Sequence, residues 1–404
     1  MLSPSPIPPI TVSAYTATSA VGVGKAALFD ALEQQRSALR PNHFTHEPLA
    51  TWVGRVARIE ASPLPAPLMH WECRNNRLAW LGLTADGFLG AALAARERYG
   101  PARVALVLGT STSSIGATEE AYRHLDENGE FPEAMRSPQV NTPHSLGLFV
   151  HEALRLEGPC VTVSTACSSS AKVFAQAERM LRLGLVDAAI VGGVDSLCGS
   201  VLFGFNALSL VAPRACRPFD AQRDGISIGE AAGFALLERG AGPLQLFGYG
   251  ESSDAHHMSA PHPQGEGAER ALDAALLRAG LGPDAIDYIN LHGTASLKND
   301  EVEAALVARR FPARTHASST KGLAGHALGA AGMLEAAISL LAIETGLMPG
   351  TVNTEVLDPV CGPQVRLHNA RGKVNTVLSN SFGFGGNNCV LVFGRSPIHP
   401  SKRA

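Results

Sequence analysis

Short runs of β-branched residues alternate with longer stretches rich in Ala and Leu along most of the 404 residues of this chain. The β-branched runs predict buried strands at residues 104–108, 160–164, 188–191, 233–237, 244–249, 286–291 and 374–378. The Ala/Leu-rich stretches predict helices at residues 25–35, 75–97, 168–183, 267–279, 300–310 and 327–344. A chain that alternates strands and helices in this way is expected to fold as an α/β protein whose helices cover buried sheets.

The composition supports a large buried core. Hydrophobic residues make up 45% of the chain and charged residues only 17%. This balance excludes a wholly disordered protein and indicates much buried surface, which can include a large subunit interface. The chain carries 33 Lys and Arg residues against 36 Asp and Glu residues, for a net charge of −3. It therefore lacks the overall positive field of a nucleic-acid-binding protein.

The cysteine pattern indicates a reducing compartment. The seven cysteines are irregularly spaced and contain no CxxC pair, which argues against a disulfide framework or a zinc site. We therefore expect a cytoplasmic protein, and we expect no membrane span, since no apolar run reaches the roughly 18 residues that a span needs. The GAGP segment at residues 240–243 separates two predicted strands without a flexible linker, so we divide the chain into two halves, residues 1–242 and 243–404, packed as one body.

Cys167 is the strongest candidate for a reactive group. The segment VTVSTACSSS places it between a predicted strand and a predicted helix. Unpaired backbone N–H groups and the helix dipole at such a position favour a thiolate, which is the nucleophilic form. This location predicts covalent acyl chemistry, whereas the other six cysteines read as small buried residues.

Two further segments carry titratable side chains. His292 follows a predicted strand and precedes a glycine and a threonine, in a turn that a substrate can approach. Lys321 and His326 lie five residues apart in a Gly-rich segment, and Glu335 lies nine residues beyond His326 in an Ala-rich stretch. A buried Lys and a buried Glu are costly unless paired, so we expect Lys321 and Glu335 to pair with each other or with Asp300.

The segment NSFGFGGNN follows the last predicted strand. Gly383, Gly385 and Gly386 surround Phe384, which gives a mobile backbone with one bulky side chain, a composition that suits a gate or a backbone oxyanion donor. Because α/β folds gather ligands at the carboxyl ends of strands, these four segments are expected to meet in one site. No metal site is expected, since His292 and His326 lack carboxylate or thiol partners at ligand spacing, and no Gly-rich nucleotide motif is present.

The motifs TACSSS, HGT followed by ND, STKGLAGHALGAAG and NSFGFGGNN, in this order, resemble those of the elongating β-ketoacyl-acyl carrier protein synthases. The resemblance covers about residues 10–395. It implies a thiolase-like fold in which two similar halves stack as α-β-α-β-α layers, and it implies a dimer. It also implies that acyl carrier proteins deliver the substrates on a phosphopantetheine arm, with no cofactor held by the enzyme itself.

The resemblance assigns roles to individual residues. Cys167 matches the nucleophile, His292 and His326 the paired histidines, and Lys321 and Glu335 a pair that organises them. Phe384 matches the gating phenylalanine. The positions that match the phosphopantetheine-binding residues are Thr294, Ser296, His257 and Ser259, of which Ser296 and Ser259 stand where threonine is usual. Three arginines are candidates for docking an acidic carrier protein near the entrance: Arg74, Arg77 and Arg217.

The reaction implied by the resemblance is a decarboxylative Claisen condensation, in which malonyl-acyl carrier protein extends a chain held on Cys167 by two carbons. Two alternatives remain: the catalytic subunit of a ketosynthase/chain-length-factor heterodimer, and a thiolase-type acyl-CoA acyltransferase, for which Cys389 would be a second cysteine. Residues 109–122, GTSTSSIGATEEAY, lie where the family lines its acyl pocket. Their Ser/Thr content suggests a specialised pathway such as that of aryl polyenes. A homodimer is expected, with a heterodimer as the other arrangement.

Overall fold

The computed structural model describes residues 5–396, which form fifteen β-strands and eleven α-helices. The strands are β1 (Ile10–Ser19), β2 (Gly22–Val23), β3 (Arg40–Pro41), β4 (Trp52–Val53), β5 (Val104–Gly109), β6 (Cys160–Val163), β7 (Ala188–Asp195), β8 (Ala231–Glu238), β9 (Leu244–Ser253), β10 (Tyr288–Asn290), β11 (His316–Ser318), β12 (Leu347–Met348), β13 (Ala370–Arg371), β14 (Thr376–Gly383) and β15 (Asn387–Arg395). The helices are α1 (Gly24–Glu33), α2 (Arg74–Thr84), α3 (Phe88–Tyr99), α4 (Ile115–Arg123), α5 (Ser145–Ala153), α6 (Ser169–Arg182), α7 (Gly199–Ala207), α8 (Glu266–Ala279), α9 (Leu297–Arg310), α10 (Lys321–Ala324) and α11 (Ala331–Thr345).

The main sheet has eleven strands, of which ten form two five-stranded halves, while β2 pairs with β1 outside that order. Its order is β11-β10-β14-β15-β9 from the second half of the chain, followed by β1-β8-β7-β5-β6 from the first. If the five strands of each half are numbered along the chain and read from the outer edge of the sheet inward, both halves have the same order: third, second, fourth, fifth and first. In the sheet, the halves join where Ile10 and Thr11 of β1 pair with Leu246 and Gln245 of β9. The predicted duplication of an α/β unit is confirmed, and the boundary at residues 242/243 stays a prediction.

Helices form three layers around the two halves of the sheet. Helices α6 and α11 lie between the halves, because α6 packs on β5, β7, β9 and β15 while α11 packs on β8 and β14. Helices α2, α3 and α5 cover the outer face of the first half, and α8 and α9 cover that of the second. This arrangement is the predicted stack of α-β-α-β-α layers.

The central helices approach each other through small side chains. A Cβ atom at Gly332 of α11 would lie 2.6 Å from the backbone nitrogen of Ala171 in α6, so a larger residue would force the helices apart. Residues 331–343 of α11 are all buried. The stretch Leu328–Thr345 is long and apolar enough to span a membrane, and its burial identifies it as a core helix instead.

The predicted helix at residues 75–97 is wrong, because the structure breaks it into α2 and α3. Asp86 has a φ of 54° and Gly87 a φ of 73°, which no continuous α-helix allows. The Asp86 carboxylate accepts hydrogen bonds from Lys25 N at 2.9 Å and from the Thr16 hydroxyl at 2.7 Å, and these distant partners fix the break. The combined stretch Arg74–Tyr99 also passes the length and hydropathy test for a membrane span. It is two core-packed helices with a break between them.

Candidate active site

Cys167 lies in a tight turn between β6 and α6. Ala166, the residue before it, has a φ of 53°, a conformation that non-glycine residues adopt rarely and mostly at functional sites. The Ser169 hydroxyl stabilises the turn by accepting from Thr165 N at 2.8 Å and donating to Ala166 O at 2.6 Å. The turn directs a 4%-exposed Cys167 side chain into a narrow cavity.

Two buried histidines from the second half of the chain face the sulfur. His326 Nε2 lies 3.0 Å from Cys167 Sγ. The rings of His292 and His326 are nearly perpendicular, with centroids 5.4 Å apart. His292 follows β10 and His326 follows α10, so the packing of the two halves brings these three side chains together.

Burial determines the protonation of this group. Loss of solvent lowers the pKa of His292 and His326 well below the ordinary value, and the Lys321 charge lowers both further, so the rings are neutral at pH 7. Burial raises the pKa of Cys167 to about 12, although the Lys321 charge and the backbone N–H of Phe384 act in the opposite direction. The prediction of a resting thiolate is therefore wrong. Desolvation outweighs the helix N-terminus, and the resting group is a thiol.

Lys321 and Glu335 form a buried ion pair beside the histidines. Lys321 Nζ donates to Glu335 Oε1 and to the carbonyl oxygen of His292. Burial raises the pKa of Glu335 to about 7, while the Lys321 charge opposes that rise. The pair anchors His292 through its backbone and does not contact the sulfur, which suits a positioning role.

Glu303 of α9 also holds His292, a role that was not predicted from the sequence. Glu303 Oε1 accepts from His292 N at 2.8 Å and from Asn380 Nδ2 at 2.9 Å, while Oε2 accepts from Gly293 N at 2.8 Å. Burial raises the pKa of Glu303 to about 7. The sequence did contain an indication of this role: Glu303 is a charged residue on the apolar face of α9, three residues before Leu306, and a carboxylate on that face needs a buried partner.

Asp300, on the same face of α9, has a different partner from the one expected. Its carboxylate accepts from the backbone N–H groups of Phe219 at 2.7 Å and of Ala295 at 3.1 Å. Glu335 is the carboxylate that pairs with Lys321. The expected pairing of Lys321 with Glu335 is confirmed, and the alternative pairing with Asp300 is wrong, because Asp300 instead binds the turn after His292.

The cavity above Cys167 is narrow and adjoins a wider one. Its volume is about 40 Å³, and its lining residues include Thr294, Ser296 and Ser259. Ser259 and Ser296 also line a wider cavity of about 280 Å³, so the two cavities adjoin each other at these residues. The hydroxyls of Thr294 and Ser296 lie 2.9 Å apart. His257 is exposed and lines neither cavity, although its Nδ1 accepts from Ser259 N at 3.1 Å.

The Gly-rich segment lies directly over the sulfur. Gly383, Phe384, Gly385 and Gly386 all line the cavity, and the backbone N–H of Phe384 lies close enough to Cys167 to favour its thiolate form. Gly386 has a φ of 72°, and a Cβ atom there would lie 1.7 Å from Asp254 O, so only glycine fits. The ring of Phe384 stacks on that of Phe205 from α7, with centroids 5.4 Å apart.

Arg74, Arg77 and Arg217 are engaged in internal contacts. Arg74 Nη2 lies 2.6 Å from Glu230 Oε1, in a carboxylate that is fully buried. Arg77 pairs with Glu72, and Arg217 donates to a backbone carbonyl group five residues away. The side chains of the three arginines are 18%, 24% and 16% exposed, respectively. Their internal partners reduce the charge that they present to a carrier protein, and their role in docking stays a prediction.

The Cys167, His292 and His326 donor atoms lie within 4.8 Å of one another, as metal ligands can. Two observations argue against a metal. Histidine ligands usually donate their second ring N–H to an acceptor, but Nδ1 of both histidines has no partner among the residues that the structure describes. The positive charge of the nearby Lys321 ammonium group would also repel a metal ion bound to the two histidines.

A hydroxyl-rich cavity of about 220 Å³ lies beside the turn that precedes Cys167. It is lined by Thr110, Ser111, Thr112, Ser113, Ser114, Ile115, Thr118, Asn141, Thr142, Pro143 and Ser164. The buried carboxylate of Asp195 accepts from the hydroxyls of Thr110, Ser111 and Thr112 at 2.6–2.9 Å. Because Asp195 takes these three hydroxyl protons, the hydroxyls of Thr110, Ser111 and Thr112 do not donate into the cavity.

Comparisons with known proteins agree with this geometry. The model of the β-ketoacyl synthase N-terminal domain matches residues 78–241, and that of the C-terminal domain matches residues 245–355. Nodulation protein E of Rhizobium meliloti (strain 1021) is 36% identical over 72% of this chain and 75% of its own length. The 3-oxoacyl-[acyl-carrier-protein] synthase 2 of the same strain is 41% identical over 61% of this chain and 63% of its own length.

A solved ketosynthase from Xenorhabdus doucetiae, in complex with its chain length factor, superposes with a TM-score of 0.87 at 35% identity. The match covers 96% of this chain and 98% of that one. The thiolase-like fold predicted for the chain is thereby confirmed. Since the two domain models match more than half of its length, the chain that brings Cys167 together with His292 and His326 belongs to the β-ketoacyl synthase family of condensing enzymes.

Proposed function

We propose that this chain extends an acyl group held as a thioester on Cys167 by two carbons, taken from a malonyl group on an acyl carrier protein. The observation that carries the proposal is the position of His326 Nε2, 3.0 Å from the Cys167 sulfur, with His292 as a second imidazole in the same closed cavity. A thiol supplies the covalent carrier, and two neutral imidazoles supply donors for an enolate oxygen.

The first step transfers the acyl group to the enzyme. Cys167 sulfur bonds to the acyl carbon, the bond from that carbon to the pantetheine sulfur breaks, and the Cys167 proton ends on the departing thiol. The backbone N–H of Phe384 lies close to Cys167 and stabilises the oxyanion of the tetrahedral intermediate. Proton loss from a thiol of pKa about 12 is costly, so it is expected to accompany attack.

The second step breaks the bond between the malonyl carboxylate and its methylene carbon and releases CO₂. The electron pair forms an enolate, whose oxygen accepts from Nε2 of His292 and His326. With the proton on Nε2, the unpartnered Nδ1 atoms are acceptors, which avoids a buried unpaired donor. The enolate carbon bonds to the acyl carbon, and the Cys167 sulfur leaves and takes one proton from solvent. Removing one such donor costs about 10²–10³-fold in rate.

The carrier protein reaches Cys167 through its arm. The two cavities share Ser259 and Ser296, and the hydroxyls of Thr294 and Ser296 are placed to bind the amide groups of a phosphopantetheine arm. We assign Ser259 to binding of the arm as well. His257 lines neither cavity, so we assign it only to holding Ser259 in place through its Nδ1. The proposal needs no other cofactor. An acyl carrier protein as the partner is supported by the 41%-identical relative, whose name is 3-oxoacyl-[acyl-carrier-protein] synthase 2.

We propose a polyunsaturated chain of a specialised pathway, such as that of aryl polyenes, as the acyl substrate. The cavity beside Ser164 is lined by many side-chain oxygens, and the hydroxyls of Thr110 and Thr112 donate to Asp195 and not into the cavity. Polarised vinylic C–H groups interact weakly but favourably with such oxygens, whereas a saturated chain gains less there. The free thiol of Cys167 requires a reducing compartment, and we place the reaction in the cytoplasm.

A second candidate is the catalytic subunit of a ketosynthase/chain-length-factor heterodimer. The ketosynthase from Xenorhabdus doucetiae, which is 35% identical to this chain, was solved with such a partner. Strand β6, which leads to Cys167, is an edge strand of the main sheet and is only half-buried, so a related chain could pair with it. Native mass spectrometry of the chain alone and with a co-expressed chain length factor separates a homodimer from a heterodimer.

The experiment that tests the function is intact-mass analysis of the chain, with its partner where one is required, after incubation with saturated and polyunsaturated acyl-carrier thioesters. We expect one acyl adduct that Cys167→Ala abolishes, followed by a two-carbon extension when malonyl-carrier protein is added. Larger adduct yields with polyunsaturated chains support the specialised role. Acylation by acyl-coenzyme A alone, without malonyl-dependent extension, would contradict the condensing reaction and favour a thiolase-type activity.

A further inference from the structure

The structure holds the site in a closed state. The cavity above Cys167 has a volume of about 40 Å³, which is room for roughly three water molecules at about 10–15 Å³ each. A malonyl or acyl thioester needs more space, so Phe384 must move before a substrate reaches the sulfur. Gly385 and Gly386 follow Phe384 with φ values of 71° and 72°, and such positions absorb the backbone change easily.

Only a few contacts hold the Phe384 segment closed. Gly385 N donates to Met258 O at 2.9 Å, and Asp254 N donates to Gly386 O at 3.0 Å. These two hydrogen bonds fix the backbone beyond Phe384. The Phe384 ring stacks on Phe205, with centroids 5.4 Å apart and planes inclined by 18°.

Phe205 is presented by a firmly anchored helix. Helix α7 buries only Leu202, so its apolar packing is limited. Its first turn is instead held by Glu119 of α4, whose two carboxylate oxygens accept from Gly199 N at 2.9 Å and Ser200 N at 2.6 Å. A carboxylate at a helix N-terminus is a favourable anchor, so Phe205 forms a fixed surface for the moving ring.

We propose that Phe205 is a positioning residue that holds the Phe384 ring closed, and thereby keeps the Phe384 backbone N–H close to the Cys167 sulfur. The same stack then controls two properties together, access to the thiol and the geometry of the oxyanion donor. When Phe384 swings away to admit a substrate, its N–H leaves the sulfur, and re-stacking on Phe205 restores it before bond formation. The inference rests on the proposed function only in that Cys167 is the reacting thiol.

The test measures how fast iodoacetamide alkylates Cys167 in Phe205→Leu, followed by intact mass and peptide mapping. Loss of the stack is expected to raise the open population, and with it the alkylation rate, by about 2- to 13-fold, the range that corresponds to a typical aromatic pair. Phe203→Leu is the matched control, since Phe203 lies on the same helix but does not line the cavity. Phe205→Tyr keeps a stacking ring and is expected to restore the wild-type rate.

A second readout separates positioning from loosened structure. In Phe205→Leu the pH at which alkylation accelerates is expected to rise, because the Phe384 N–H that favours the thiolate is displaced, and kcat for acyl transfer is expected to fall while alkylation quickens. Thermal unfolding of all three variants checks that α7 stays folded. Equal alkylation rates in Phe205→Leu and Phe203→Leu overturn the inference. Failure of every variant and of the wild type to react at Cys167 counts instead against the proposed nucleophile.

Discussion

Glu303→Gln tests whether a carboxylate that never touches the substrate fixes the catalytic His292. At pH 8, above the Glu303 pKa of about 7, the carboxylate is ionised and accepts from His292 N, Gly293 N and Asn380 Nδ2. The glutamine oxygen can replace Oε1 and keep the bonds to His292 and Asn380. Its NH₂ group then faces the Gly293 N–H, so one buried donor loses its acceptor.

One buried donor without an acceptor costs about 1–3 kcal/mol, and we expect the free energy of unfolding to fall by that amount. The turn that carries His292 is also expected to shift, and misplacement of a catalytic donor by about 1 Å lowers rates by about 10²-fold. Malonyl decarboxylation measures this second effect, because it depends on the enolate oxygen and not on the acyl substrate. We expect a 10- to 100-fold fall in kcat with a smaller change in KM.

The matched control is Glu301→Gln, which changes an exposed residue of the same helix. Glu301 contacts Lys298 at 3.1 Å, and both side chains are more than half exposed, so this pair contributes little. Urea denaturation at pH 8 and decarboxylation assays of both variants decide the outcome. If Glu303→Gln matches Glu301→Gln within about 0.5 kcal/mol and keeps the wild-type kcat, the positioning argument is refuted.

Three further predictions concern the remaining charges and the nucleophile. Cys167→Ala should abolish condensation yet retain malonyl decarboxylation, as CO₂ release will report, because both histidines remain. Arg74→Ala should lower the free energy of unfolding, measured in urea, by about 1–3 kcal/mol, because the buried Glu230 loses its charged partner but keeps the N–H groups of Val56 and Leu197; the carrier-protein KM should not rise. Glu335→Gln should reduce the pH dependence of the free energy of unfolding between pH 4.5 and 7. Burial raises the pKa of Glu335 to about 7, so the protonated residue contributes stability that is full below pH 4.5. That contribution, about 3 kcal/mol at most, is lost as the pH rises through 7. A wild-type slope in calorimetry of that variant would contradict this.

Local patterns predicted most of the regular elements but not their interruptions. The helix expected at residues 168–183 is α6 (Ser169–Arg182), because its apolar period is uninterrupted. The helix expected at residues 75–97 breaks at Asp86, whose carboxylate is bound by Lys25 and Thr16, and no local pattern contains those partners. Strand β1 (Ile10–Ser19) escaped prediction because its many hydroxyl residues read as polar, although most of the strand is buried.

The sequence by itself determined where the reactive groups lie along the chain. Cys167 had to fall between a strand and a helix, and the histidines had to fall in turns, because hydrophobic periodicity and glycine placement are local properties. Tertiary packing decided what those groups became. It placed His326 Nε2 3.0 Å from the sulfur of Cys167, 159 residues away in the chain, and buried that sulfur as a thiol. It also placed Glu303 where it accepts from His292 N, and Arg74 where it pairs with Glu230. Desolvation and pairing depend on neighbours brought together from distant parts of the chain, and local pattern carries no information about them.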